Sequence, residues 1–164
     1  MPAASVSLDD VLLLVGRLNY TWTNTESLLI HLIAGLAGTT KEIATIIFLT
    51  LNTTRARADL VERLAKMPGF DPAERDDVLA TTRQLLKLAG LRNRYNHCIY
   101  AFDPDGGAMR TILMRVSDRK DDIKVGQINA LDAAALSDIQ TTISDLGTLN
   151  RAIWSVIQVR GYPA

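Results

Sequence analysis

The amino-acid sequence predicts an all-α fold, a five-helix bundle with a small β-hairpin inserted between the fourth and fifth helices. Apolar residues recur at steps of three, four and seven along most of the chain, which is the spacing of one face of an α-helix. Capping residues precede several of these stripes, and one turn-rich stretch, Asp103–Gly107, interrupts the pattern. A chain of 164 residues fits one domain, which we expect to span residues 1–164.

The first two helices are expected at 8–36 and 39–51. The apolar stripe of the first helix continues for about eight turns, and Glu26 occupies a position in it where a core residue is expected. Either the helix bends near Thr23–Thr25 and leaves Glu26 solvated, or this carboxylate faces the interior and needs a cationic or hydrogen-bonding partner. The second helix follows a capping signal and is apolar almost all round, so we expect it to be central.

The third and fourth helices are expected at 54–67 and 72–97. The third begins at a threonine cap and ends at Pro68-Gly69. The fourth has the clearest start in the chain, Asp71-Pro72-Ala73-Glu74, which supplies a cap, a proline at the first helical position and a glutamate at the third. Its apolar stripe runs into the polar stretch Arg92–His97.

The texture of the sequence changes after the fourth helix. Ile99–Phe102 and Met109–Val116 have the composition of two strands, and the turn Asp103–Gly107 between them predicts a small hairpin. A solvated run follows at Ser117–Asp122. The last helix is expected at 132–160, where an aspartate cap precedes a long apolar stripe.

Charge and composition exclude several classes of protein. The 18 basic and 18 acidic residues balance, which argues against a protein that coats nucleic acid by charge alone and leaves a local basic patch open. The single cysteine, Cys98, excludes an intramolecular disulfide and a cysteine-based zinc site. The start of the chain does not look like a signal peptide, and no uncharged stretch approaches the roughly 20 residues that span a bilayer. We therefore expect a cytoplasmic protein with no membrane partner.

Reactive side chains are concentrated in Arg92–His97, which holds two guanidiniums, two amides, a phenol and an imidazole. The rest of the sequence has no glycine-rich phosphate loop and no cluster of metal ligands, so we expect neither a cofactor nor a metal. Asn93 and His97 are four residues apart and share a helix face. Arg92 and His97 lie about 140° apart around the axis and need a bent side chain, a helix end or a second chain to meet. The simpler interpretation is a polar helix end whose basic residues the helix dipole favours.

The stretch Arg92-Asn93-Arg94-Tyr95-Asn96-His97 resembles the signature of the HEPN superfamily (higher eukaryotes and prokaryotes nucleotide-binding domain). That signature is an arginine followed directly by a polar residue, with a histidine further along the chain. Four to six positions separate the arginine from the histidine. HEPN domains are small helical bundles with the motif late in an inner helix. Some prokaryotic members also have a tryptophan and a glutamate in the first helix, as Trp22 and Glu26 are here. The hairpin and the isoleucine-rich second helix are not part of the signature.

The resemblance implies metal-independent cleavage of RNA, or RNA or nucleotide binding without cleavage, by a homodimer whose two motifs meet at a cleft. His97 would be the general base, Arg92 would stabilise charge on the phosphate, and Asn93 would orient His97 or the substrate. Further substrate-binding residues would be Arg94, Tyr95 and Asn96. Glu26 would support the site by holding Arg92 in one orientation. Such a protein would act as a toxin or in defence, with an antitoxin protein as a further partner.

Two other functions remain open. A catalytically inactive helical dimer could serve as a scaffold or an immunity partner. A helix-turn-helix DNA-binding module could lie in Lys41–Lys66, because Arg55 and Arg57 open a helix that closely follows another. Against the DNA-binding function, the preceding helix is too apolar for an exposed positioning helix, and the junction lacks a turn glycine.

Overall fold

The computed structural model describes residues 6–103 and 108–164, and within them the chain forms six helices and three strands. In chain order these are α1 (Leu8–Glu26), α2 (Leu29–Ala37), α3 (Lys41–Thr50), α4 (Thr54–Ala65), α5 (Pro72–Asn96), β1 (Cys98–Ala101), β2 (Arg110–Asp118), β3 (Ile123–Ala130) and α6 (Ala133–Arg160). None of these helices combines the length and the apolarity that a membrane-spanning segment requires.

The chain divides into two compact units. The first unit contains the described parts of Met1–Asn19 and Gly90–Ile143, and the second contains Tyr20–Ala89 and Ser144–Ala164. The boundaries fall within α1, α5 and α6, so each of these helices contributes one part to each unit. The sheet and the Arg92–His97 stretch belong to the first unit.

The sheet shows that the predicted all-α class was wrong. Its three strands are antiparallel in the order β1-β2-β3, so the β structure is more than a small hairpin. The run Ser117–Asp122, predicted to be solvated, contains the end of β2 and the turn into β3. The apolar side chains of β3 are largely exposed, with Val125 at 71% and Ile128 at 65%. Backbone pairing with β2 holds this strand, which explains why burial periodicity did not predict it. Residues 104–107 of the predicted turn lie outside the described residues.

The helix predicted at 8–36 is two helices. α1 ends at Glu26 and α2 begins at Leu29, slightly beyond Thr23–Thr25, where one of the two alternatives placed a bend. The hydroxyl groups of Thr25 and Ser27 donate to backbone carbonyls of the preceding turn at 2.8 and 3.0 Å. Hydroxyls that bond back in this way compete with the helical ladder and bend helices. The apolar stripe continues across the break, and for that reason the spacing alone predicted one helix.

The remaining helix starts follow from side-chain caps. Thr40, Thr53 and Asp132 each accept the N–H of the residue three positions later, at 3.3, 3.1 and 2.9 Å. Asp71 accepts the N–H two positions later at 3.3 Å, directly before the proline that opens α5. These caps set the starts of α3 to α6 close to the predicted positions.

α2, and not α3, is the central helix of the second unit. α2 packs against both α3 and α4, and most of its side chains are buried. The buried residues of α3 are Ala44 and Phe48, whereas Ile43, Ile46 and Leu49 are 49 to 67% exposed. The expectation that this isoleucine-rich helix is central was therefore wrong. Three apolar side chains at a spacing of three form an exposed stripe along α3 instead.

A methyl group added at Gly35 in α2 would overlap the ring of Tyr162, which follows the end of α6. A glycine-to-alanine change inside a helix normally stabilises by ~0.5–1 kcal/mol. We expect Gly35→Ala to lower the free energy of unfolding by about 1–3 kcal/mol instead, because the ring must move. Gly16→Ala in α1 is the matched control, because open space surrounds Gly16, and this change should stabilise the protein. Urea unfolding measures the free energy of unfolding of both variants. An equal increase in the two would contradict the close packing of Tyr162 against Gly35.

Candidate functional site

The end of α5 and the start of the sheet meet at His97, the one residue between Asn96 and Cys98. The N–H of His97 donates to the carbonyl of Asn93 at 3.1 Å and continues the helical pattern. The carbonyl of His97 accepts the N–H of Met114, in β2, at 3.1 Å. The backbone of His97 is therefore held by the helix on one side and by the sheet on the other, while its side chain is exposed.

A cavity of about 520 Å³ opens beside the imidazole of His97. Its lining consists of Gly90, Asn93, Arg94, His97, Leu113, Met114, Arg115 and Gln127. This set contains two guanidiniums, one imidazole and two amides, and no carboxylate is among the described residues that form it. Such a lining favours anionic ligands, and guanidiniums in particular match the geometry of phosphate oxygens. We call this space the His97 cavity.

Three of the predicted site residues, Asn93, Arg94 and His97, line the His97 cavity together. Arg92 is not among its described lining residues. Its guanidinium donates to the amide oxygen of Asn93 at 3.1 Å. Arg92 therefore contacts the cavity residue Asn93 without lining the cavity itself.

Arg92 also belongs to a polar network that joins α5 to α1. With its amide oxygen turned towards the guanidinium, Asn96 accepts from Arg92 Nε at 2.9 Å and from Nη2 at 3.0 Å. In that orientation the amide nitrogen of Asn96 donates to Asn19 Oδ1 at 2.8 Å, and Asn19 donates in turn to the carbonyl of Val15 at 3.1 Å. Asn96 is half-buried in this network and does not line the His97 cavity.

Tyr95, a predicted substrate-binding residue, is 5% exposed, so its ring is not available to a ligand. Burial raises the pKa of its phenol above the ordinary value of 10, and the charge of Arg94 opposes that rise. The carbonyl of Tyr95 accepts the hydroxyl of Tyr100 at 3.0 Å. Burial also raises the pKa of the Cys98 thiol, which therefore stays protonated and is a poor nucleophile. Tyr95 and Cys98 are therefore structural residues at the helix–sheet junction.

Arg115 and Gln127 line the His97 cavity but were not predicted from the sequence. They come from β2 and β3, and β3 itself was not expected. The hydrogen bond between Met114 and His97 brings β2 alongside the end of α5 and places Arg115 at the cavity. A signal was present in the sequence, because Arg115 and Ser117 lie on either side of the apolar Val116, as polar side chains on one face of a strand do.

Glu26 is buried and has three hydrogen-bonding or ionic partners in the second unit. Its Oε1 lies 3.1 Å from Arg57 Nη1 and accepts the hydroxyl of Thr54 at 2.6 Å, and its Oε2 accepts the indole N–H of Trp22 at 3.2 Å. The interpretation that this carboxylate faces the interior and has a cationic partner is confirmed. The predicted contact between Glu26 and Arg92 joins residues of different units and stays a prediction.

Arg57 is held inside the second unit rather than presented to solvent. Its guanidinium lies 4.0 Å from the centre of the Phe48 ring, and its Nε donates to the carbonyls of Phe48 and Leu51 at 3.1 and 3.0 Å. A guanidinium with these partners is not free to contact a phosphate. The helix-turn-helix alternative for Lys41–Lys66 thus has one cation fewer than the sequence suggested, although Arg55 is exposed.

Comparisons with known proteins give no match: no family model, no curated protein and no solved structure is similar to this chain. Among residues 6–103 and 108–164, no three His, Cys, Asp or Glu side chains are grouped so that they could hold a metal ion. The functional argument therefore depends on the geometry of the His97 cavity.

Removing the carboxylate of Glu26 leaves the largely buried guanidinium of Arg57 without its anionic partner. We expect Glu26→Ala to lower the free energy of unfolding by roughly 3–5 kcal/mol, the usual cost of breaking a buried ion pair. Lys66→Ala is the control, because its pair with Glu62 spans 3.8 Å and the lysine is 55% exposed. That change should cost about 0–1 kcal/mol. Similar losses for the two variants in chemical denaturation would contradict the buried network.

Proposed function

We propose that this protein is a HEPN-like RNA-binding protein that cleaves single-stranded RNA without a metal ion, in the cytoplasm, as a toxin or defence enzyme. One observation carries the proposal: an exposed imidazole shares a cavity with two guanidiniums, and no carboxylate is among the described lining residues. Imidazole is the side chain best suited to proton transfer near neutral pH. Guanidiniums bind phosphate oxygens with two parallel hydrogen bonds. The imidazole and the guanidiniums together supply a base for the 2′-hydroxyl and positive charge for the phosphate, both of which favour RNA transesterification.

In the proposed reaction, a ring nitrogen of His97 takes the proton of a ribose 2′-hydroxyl. The 2′-oxygen attacks the adjacent phosphorus, and the bond between phosphorus and the 5′-oxygen breaks. The leaving oxygen takes a proton from water, and the hydroxide that remains takes the proton held by His97, which restores the base. The products are a 2′,3′-cyclic phosphate and a 5′-hydroxyl. Arg94 and Arg115 stabilise the charge that builds on the phosphate as it becomes five-coordinate.

Arg92 has a different role in this proposal from the one that its motif position suggests. It donates to the amide oxygen of Asn93, which leaves the amide nitrogen of Asn93 as the donor available to a ligand. Arg92 is thus a positioning residue that acts through Asn93, and Arg115 takes the place of charge stabiliser within one chain. Glu26 is paired with Arg57 in the second unit.

A second candidate function is a catalytically inactive dimer that serves as a scaffold or an immunity partner. The observation that favours it is the exposed stripe of Ile43, Ile46 and Leu49 on α3. Three large apolar side chains side by side on one helix are typical of an interaction surface. The same stripe also fits an antitoxin protein, but a dimer formed through it differs from the homodimer implied by the HEPN resemblance, whose two motifs meet at a cleft. It favours association through α3, whereas the sequence predicted association through the helix that carries the motif.

The cleavage proposal predicts which side chains the rate depends on. In EDTA, His97→Ala should slow cleavage of a single-stranded RNA by about 10²–10⁴-fold, because the general base is lost. Arg115→Ala should slow it by about 10²–10³-fold, because a charge stabiliser is lost. Arg55→Ala, an exposed arginine of α4, is the control and should leave the rate unchanged. Cleavage that EDTA abolishes, or that survives in both cavity variants, would reject the mechanism. Absence of RNA binding at low salt would favour the scaffold.

The role of Arg92 is tested by a double-mutant cycle. If Arg92 acts through Asn93, the variant that combines Arg92→Ala with Asn93→Ala should cleave no more slowly than Asn93→Ala alone. If the double variant instead loses rate by the product of the two single-variant factors, Arg92 contributes independently of Asn93, as its motif position suggests. Circular dichroism and thermal unfolding of each variant separate a loss of folding from a loss of rate.

Association through α3 predicts the effect of a single charge. Light scattering should give a dimer mass at micromolar concentration. Ile46→Glu should raise the dimer dissociation constant at least about tenfold, because a buried carboxylate costs more than the ~1.4 kcal/mol that this factor represents. Val159→Glu is the control, since Val159 is also an exposed apolar residue, at 76%, but lies on α6. A monomer mass for the unchanged protein contradicts association, and a dimer that survives Ile46→Glu contradicts the α3 interface.

A further inference from the structure

A second cavity, of about 310 Å³, adjoins the His97 cavity on the sheet. Three residues line both spaces, so the two are neighbours on β2 and β3: Leu113, Arg115 and Gln127. The other residues that line the second cavity are Ser117, Arg119, Lys124 and Gly126. We call this second space the sheet groove. Its described lining again includes cations and no carboxylate.

Strand geometry places the cations of the sheet groove on one face. Residues 115 and 117 alternate along β2, so their side chains point to the same side of the strand. Arg119 directly follows the last residue of β2 and also lines the groove. Lys124 lies opposite Ser117 in the register of β2 and β3 and therefore shares that side. The intervening Asp118 points to the other side by the same alternation. Asp121 and Asp122 lie in the turn, and neither lines the groove.

A β-bulge brings Arg115 into this arrangement. The register between β2 and β3 shifts between Leu113 and Val116, so Met114 and Arg115 together lie opposite Gly126. Gly126 has a φ of +74°, which an L side chain rarely adopts. The bulge lets Arg115 line the His97 cavity and the sheet groove at once.

The cations of the groove form no close ion pair with a described carboxylate. No described carboxylate lies within 4.0 Å of the charged groups of Arg115, Arg119 or Lys124, whereas other arginines, such as Arg110 and Arg160, have acidic partners. Unpaired cations on one surface attract a polyanion and release its counterions when it binds. Arg119 directly follows the last residue of β2, which is three strand residues, roughly 10 Å, from Arg115. The groove is therefore longer than a single phosphate group.

We propose that the sheet groove binds the phosphate backbone of the RNA strand beyond the cleavage site, so that the substrate is a single-stranded RNA several nucleotides long. This inference rests on the proposed function, since the strand in the groove is the one cleaved at His97. Arg119 and Lys124 are its phosphate-binding residues. They contribute to affinity for long substrates and not to the chemical step.

The test compares RNA length with charge removal. Fluorescence anisotropy measures binding of labelled 2′-O-methyl oligonucleotides of 3 and 12 nucleotides, which lack the nucleophilic hydroxyl. The double variant Arg119→Gln/Lys124→Gln should bind the 12-mer at least about tenfold more weakly and the 3-mer unchanged. Its salt dependence for the 12-mer should be shallower by about 1.4, since each phosphate contact on a single strand contributes about 0.7 to the slope. Arg83→Gln/Lys87→Gln removes two exposed cations of α5 and should bind both like the unchanged protein.

The outcomes separate the groove from the cleavage site. If both double variants bind the 12-mer equally while Arg94→Gln weakens binding of both lengths, the sheet groove is wrong and the His97 site stands. If the unchanged protein binds neither oligonucleotide at low salt, the proposed function fails, and the inference fails with it. If Arg119→Gln/Lys124→Gln weakens binding of a 12-base-pair DNA duplex as much as it weakens binding of the 12-mer RNA, the groove is not specific for a single RNA strand, and that assignment is overturned. Arg115 is left unchanged throughout, because it lines both spaces.

Discussion

One backbone hydrogen bond, from the N–H of Met114 to the carbonyl of His97, holds the candidate site together. A helix end leaves its last carbonyls without partners, and a sheet edge can supply the missing donors. Here β2 supplies a donor just beyond the end of α5, so the strand passes directly beside the motif. The cavity exists because the helix ends at Asn96 and the chain turns at once into β1. Had the helix continued, Arg115 and Gln127 would have no route to the imidazole.

Zero net charge does not prevent a strongly basic site, because the charges are separated. Elsewhere in the described chain, carboxylates pair with other cations: Glu26 with Arg57, Glu62 with Lys66, and Asp71 with Arg160. None of these pairs involves the cations of the His97 cavity or the sheet groove. The balance of 18 basic and 18 acidic residues therefore describes the whole sequence and not this surface. A local basic patch, which composition left open, is what the structure contains.

The sequence predicted the helices well because caps and apolar spacing are local signals. Asp71 and Asp132 cap helices as expected. Asn93 and His97 share a cavity because His97 continues the helical hydrogen bonding of α5, four residues after Asn93. The sequence did not predict the helix break after Glu26. The break depends on the hydroxyls of Thr25 and Ser27, which donate to backbone carbonyls of the preceding turn and do not interrupt the apolar stripe. β3 was missed because backbone pairing holds it while its apolar side chains stay exposed. Arg115 lies on a predicted strand, but its place in the site depends on pairing of β2 with β1 and His97, which spacing along the chain does not encode.

Within the described sheet, β3 pairs on one side alone, with β2. A strand of this kind, with Val125 and Ile128 exposed, is a template on which another chain can add its own strand. Two features counter that tendency, the charge of Lys124 and the irregular backbone at Gly126. The same two residues line the sheet groove. Selection for solubility and selection for a ligand would therefore act on one short segment, and a variant that loses the lysine would be prone to form intermolecular β-sheet at high concentration.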